Sequence, residues 1–183
     1  MERHGSTEYL ILRQTIASRG GLRAAAMLAG MAMWAGVLVA TLIWLPYPIA
    51  ALIPLLLLLA TFEVVRPLHV GAERIGRYLQ VFYEEDGQAD RPLADTPAWE
   101  RVAMKGSAVP GAAGHPLFVP VFCLATLTNL LPLLVAQPAV PTEMVAIAVP
   151  HGAFIIWQLA ADRAMRAQRA AELARLRELR KQP

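Results

Sequence analysis

The sequence predicts an all-α integral membrane protein: a four-transmembrane-helix bundle, N-in and C-in, with cytoplasmic helical extensions of spans two and four. Three observations predict it. Long apolar blocks contain no charge, and the charges crowd into the segments between them. Of the 183 residues 56% are apolar and only 17% charged, where soluble domains carry about 45–50% and about 25%. Mean hydropathy is +0.44. The third observation is where the basic residues fall.

All 17 Lys and Arg residues lie in three places. The N-terminal segment holds Arg3, Arg13, Arg19 and Arg23. The central loop and its flanks hold Arg66, Arg74, Arg77, Arg91, Arg101 and Lys105. The tail holds Arg163, Arg166, Arg169, Arg175, Arg177, Arg180 and Lys181. The two short turns at 46–48 and 137–142 hold none. Cytoplasmic flanks of membrane helices carry excess Lys and Arg. Four spans put every basic cluster on that side, whereas two or three spans strand one of them outside.

Residues 1–22 read as a cytoplasmic interfacial amphipathic segment. Ser6 and Thr7 are candidate N-caps, with Glu8 in the first turn, where the helix dipole favours an anion. Tyr9, Leu12 and Ile16 recur at helical spacing, and Gly20-Gly21 is expected to break the helix. The membrane domain is expected over 23–161. Its first span, about 24–45, is uncharged and long enough to cross the roughly 30 Å hydrocarbon core. Ala25, Ala29, Ala32, Gly36 and Ala40 form a stripe of small residues, which lets helix backbones approach closely in lipid. The stripe is read as the face that packs on another helix.

The second span, about 49–66, contains Pro54, where a kink is expected. Its pattern continues into the cytoplasm to about Tyr83, with a bend expected at Pro67. The loop within 67–116 carries Thr96-Pro97, an N-cap followed by a proline at the first helical position, and a short helix is expected at 97–105. The third and fourth spans are about 117–136 and 143–161. The last runs on as a cytoplasmic basic helical tail, 162–183, on which Leu173, Leu176 and Leu179 make one edge.

Polar groups inside a span are expensive and are functional candidates. Asn129 and His151 are expected at similar depth, each about 10–12 Å below the outer surface. They suit a solute or proton site, or an axial imidazole ligand to a haem or chlorin. They equally suit a plain interhelical hydrogen bond, which the sequence favours. Glu63, Arg66, His69, Glu73 and Arg77 form a cytoplasmic interface cluster with pairs at i,i+3 and i,i+4. An ion-pair ladder is favoured there over a metal site. Cys123, Thr126 and Thr128 have no partner set for nucleophilic catalysis. In the tail, Glu172 stands three residues before Arg175, a helical pairing distance.

The motifs GxxxxGK, GxGxxG, HExxH, CxxC and CxxCH are absent from the sequence. No cofactor, no metal and no nucleic-acid partner is predicted. The expected partners are the lipid bilayer and either other membrane protein subunits or further copies of the chain. The Arg and Ala bias suggests a GC-rich bacterial genome and hence the bacterial inner membrane. An accessory or interaction subunit of a membrane assembly is the leading reading. A small oligomeric transporter or channel with its polar site at Asn129 and His151 is the alternative, and a cofactor- or metal-binding membrane protein is the third.

Overall fold

The computed structural model describes residues 2–45, 47–84, 118–131, 133 and 140–181. Nearly all of them are helical. Among the described residues four α-helices follow one another: α1 (Glu2–Trp44), α2 (Leu52–Leu79), α3 (Phe118–Thr128) and α4 (Pro141–Lys181). A 3-10 turn, Pro48–Ala51, leads into α2, and a π turn, Gln80–Glu84, ends it. The short helix expected at 97–105 lies outside the described residues. So does most of the expected outer end of the third span.

Among the described residues three helical stretches are long and apolar enough to cross a membrane: Thr7–Trp44, Pro48–Tyr83 and Pro141–Lys181. The fourth apolar helix, α3, has 11 described residues, short of the about 20 a span requires.

The described chain divides into two compact units. One lies within Arg23–Pro67 and Leu117–Arg163, the other within Met1–Leu22, Leu68–Pro116 and Ala164–Pro183. They are called here the apolar and the charged unit.

The core of the apolar unit centres on Phe62, which is wholly buried. Its ring stacks on Phe118 at 5.3 Å and meets Phe122 and Phe154 edge-on at 5.3 and 5.9 Å. Offset-stacked and edge-to-face pairs suit the quadrupole of the ring. On α4 the buried residues are Ile147, His151, Phe154, Gln158 and Ala161. Their alternating spacing of four and three is the seam of a helix packed along its length.

Within the chain, helix α1 packs through a face other than the small-residue stripe. Its buried residues are Gly30, Leu38 and Thr41. The stripe read from the sequence points elsewhere: Ala25, Ala29, Ala32 and Gly36 are exposed and Ala40 is half-buried. The close approach occurs at Gly30 instead, where a Cβ would overlap the Thr61 side chain. Gly36 has open space around it. Small residues are common along α1, so their spacing alone does not single out the one in contact.

The break expected at Gly20-Gly21 is absent. Gly20 and Gly21 lie inside α1. Each glycine costs a helix up to about 1 kcal/mol relative to alanine, but both keep their N–H, so the hydrogen-bond ladder survives. Pro54 is the third residue of α2, in the first turn, where a missing N–H leaves no helical bond broken. Pro67 lies within α2, which runs through it.

Gly30→Ala should lower stability in detergent by about 1–3 kcal/mol, the usual range for overpacking. Gly36→Ala should be neutral or stabilising, because alanine is the better helix former. Thermal unfolding of the two variants checks this, and equal behaviour would contradict the Gly30–Thr61 contact.

Candidate functional site

Asn129 and His151 meet inside the apolar unit. Asn129 follows the last turn of α3, its N–H bonded to the Ala125 carbonyl. Its side chain is wholly buried and that of His151 nearly so. Asn129 Nδ2 donates to the Ala51 carbonyl at 2.7 Å and lies 2.9 Å from His151 Nε2. Trp34 Nε1 donates to Asn129 Oδ1 at 3.4 Å. His151 Nδ1 lies 2.8 Å from the Ile147 carbonyl.

The chemistry of these partners fixes the protons. A carbonyl only accepts, and an indole N–H only donates. Flipping the Asn129 amide would set oxygen against the Ala51 carbonyl and nitrogen against the indole N–H, so the orientation is determined. The amide nitrogen cannot accept, so His151 Nε2 accepts from it. The Ile147 carbonyl cannot donate, so His151 Nδ1 carries the proton. The imidazole is therefore the neutral Nδ1–H tautomer with both nitrogens engaged. As an axial ligand Nε2 would have to give up Asn129. Pro150 lacks the N–H that would reach the carbonyl of Ala146, but the carbonyl His151 uses is that of Ile147.

A second polar layer lies two turns further along α4. Gln158 is wholly buried. Its Nε2 donates to Thr126 Oγ1 at 3.2 Å, and its Oε1 accepts from Cys123 Sγ at 2.9 Å. Thr126 and Thr128 donate back to the carbonyls of Phe122 and Leu124. The Cys123 thiol is thus a donor to an amide, with no base beside it among these contacts.

Sequence reading missed Gln158 and Trp34. The signal for Gln158 was available: an amide inside the apolar part of α4, seven residues after His151 and so on the same face. Trp34 carried no such signal, since an indole in an apolar helix is ordinary.

The five-residue cluster on α2 falls into two groups. In the apolar unit, Glu63 pairs with Arg66 at 2.8 Å and accepts from Trp157 Nε1 at 2.9 Å. The Arg66 guanidinium sits over the Trp157 ring at 5.6 Å. In the charged unit, His69 Nε2 stands 3.5 Å from Glu73 Oε1, and Arg77 Nη1 donates to Glu73 Oε2 at 3.2 Å. Among the described residues no group of three or more His, Cys, Asp or Glu side chains is placed to hold a metal ion.

Glu172 gathers the ion pairs of the charged unit. It bonds to two arginines of α2. Arg77 Nε and Nη2 donate to its Oε2 at 3.1 and 2.7 Å. Arg74 Nε and Nη2 donate to its Oε1 at 3.1 and 2.9 Å. Gln168 Nε2 adds a bond of 2.6 Å to Oε1. Arg77 is 2% exposed, so it needs the carboxylates around it: a buried charge is tolerated only when paired. Burial pushes the Glu172 carboxyl up, but the hydrogen bonds from Arg74, Arg77 and Gln168 outweigh it and hold the group below the ordinary carboxylate range. Elsewhere in the unit Tyr78 donates to Glu8 at 3.2 Å, and Arg180 donates to the Val81 carbonyl at 2.8 Å.

No protein-family model, curated protein or solved structure matches this chain. The geometry therefore carries the functional reading alone.

Two outcomes are expected. Replacing Asn129 by alanine orphans the Trp34 indole and His151 Nε2 together and removes the side-chain bond to the Ala51 carbonyl. It should cost about 1–3 kcal/mol. His151→Ala should cost about 0.6–1.7 kcal/mol, the range measured for interhelical bonds in membranes, and Thr128→Ala almost nothing. Detergent unfolding should return that order, and a silent Asn129→Ala would refute the network.

The second concerns pH. The carboxyl of Glu172 is held below its ordinary value of 4.5, so its contribution is complete above that pH and is lost as pH falls through the lower folded value. A spin label on the tail should detect loosening below about pH 4.5 in the wild type. Glu172→Gln should lack that step, and its persistence in the variant would rule Glu172 out as its source.

Proposed function

We propose that the chain is a four-span protein of the bacterial cytoplasmic membrane, both termini cytoplasmic, that acts as a non-catalytic subunit of a membrane assembly. The observation that carries this reading is the closure of the Trp34–Asn129–His151 network. A site that binds a solute, passes a proton or ligates a cofactor keeps a polar atom available to it. Here each nitrogen of His151 and each polar atom of the Asn129 side chain already has a protein partner. That favours a structural role over transport or cofactor binding.

The surface of α1 supports the interaction half of the reading. In the most apolar 18-residue stretch of this helix only 17% is buried inside the protein. Lipid covers apolar surface well, but it has no need of small residues. Ala25, Ala29, Ala32 and Gly36 lie on that uncovered side. On this reading they receive a helix of another membrane subunit or of a second copy.

The four-span topology rests on the placement of the basic residues, all 17 of which flank one side under it. Reporter fusions at the two ends should both register as cytoplasmic, and opposite readings would exclude four spans.

The assembly claim is tested by mild-detergent purification at native expression. The wild type should migrate on native gels as a complex with a stoichiometric partner or with itself. Ala32→Leu and Gly36→Leu should insert normally and lose that complex. Unchanged migration and cross-linking in both variants would defeat the proposal.

A further inference from the structure

The donors around Glu172 outnumber what a carboxylate can use. Its two oxygens receive five N–H groups: Arg74 Nε and Nη2, Arg77 Nε and Nη2, and Gln168 Nε2. A carboxylate offers about four lone-pair sites. Three of the donors converge on Oε1 alone. Both guanidiniums present their Nε–Nη2 edges, the fork that matches carboxylate and phosphate oxygens.

The setting also suits an anion other than Glu172. The Arg77 side chain is 3% exposed and held rigid, while that of Arg74 is 61% exposed. The fork is thus closed on one side and open to solvent on the other. Glu73 takes Arg77 Nη1, with His69 beyond it, and this leaves the Nε–Nη2 edge of Arg77 for the incoming oxyanion.

We infer that Arg74, Arg77 and Gln168 form a binding seat for a phosphate-class oxyanion, occupied in this structure by Glu172 of the same chain as an internal plug. A monoester or free phosphate brings at least three terminal acceptor oxygens, more than a carboxylate, and offers an acceptor to each of the five donors. The ligand is a phosphate of that kind, borne by a monoester lipid headgroup or free in solution. This inference does not depend on the assembly reading, because it concerns the charged unit alone.

The test uses the full chain in nanodiscs at constant ionic strength. Inorganic phosphate binding is measured calorimetrically in phosphatidylcholine discs. Retained phosphatidic acid, whose headgroup is a monoester phosphate, is counted by native mass spectrometry in mixed discs. A tethered competitor acts at millimolar effective concentration, so Glu172→Ala should bind one of these probes about tenfold more tightly than the wild type. Adding Arg77→Gln should abolish the gain. A gain for inorganic phosphate assigns a soluble ligand, and a gain only for phosphatidic acid assigns a headgroup.

Glu172→Gln, which keeps the length of the side chain, serves as the second variant, with helix content checked by circular dichroism. No gain for either probe in either variant at full helix content would reduce the contact to an internal ion pair and overturn the inference. A gain that survives Arg77→Gln would overturn it equally.

Discussion

The side chain of Asn129 is the constraint on which the apolar unit depends. It joins α1 through Trp34, the start of α2 through Ala51, and α4 through His151, while standing itself at the end of α3. One amide therefore ties four chain segments together. In a hydrocarbon surrounding, helices gain little from burying apolar surface against one another, since lipid is equally apolar. Packing shape and hydrogen bonds must then specify the arrangement. The aromatic cluster around Phe62 supplies shape, and Asn129 supplies register. Gln158 repeats the device two turns along α4, with Thr126 and Cys123.

The charged unit solves a related problem with opposite chemistry. Arg77 is buried and must be neutralised. Glu73 does so from its own helix and Glu172 from α4. Glu172 also gathers the exposed Arg74 and the neighbouring Gln168. The result concentrates donors on a single carboxylate, which stabilises the buried arginine. It also leaves a donor set larger than that carboxylate can saturate. The stabilising role and the proposed anion seat thus have the same physical origin.

Much of this was legible in the sequence, and the failures have physical causes. The helical character followed from the uncharged blocks. The continuation of α2 to about Tyr83 followed from its periodic apolar residues. Asn129 and His151 stood out because amide and imidazole groups are rare and costly in apolar helices. The face by which α1 packs inside the chain was not legible: glycines and alanines recur all round the helix, and among its described glycines Gly30 alone meets a neighbour closely enough to exclude a Cβ. The Gly20-Gly21 break was overread because glycine weakens a helix without removing a donor. The bonds of Glu172 to Arg74 and Arg77 join residues nearly a hundred positions apart. Spacing rules for one helix do not reach that far.

The most direct measurement is solid-state nitrogen NMR of the chain in bilayers, with the ring of His151 labelled. The closed network requires a single neutral imidazole, protonated at Nδ1, with a through-space contact from Nε2 to the Asn129 amide. That result would mark His151 as a fixed structural acceptor. An Nε2–H tautomer, an imidazolium or a ring in rapid exchange with water would contradict the closed network and return His151 to the role of a working group in a polar path.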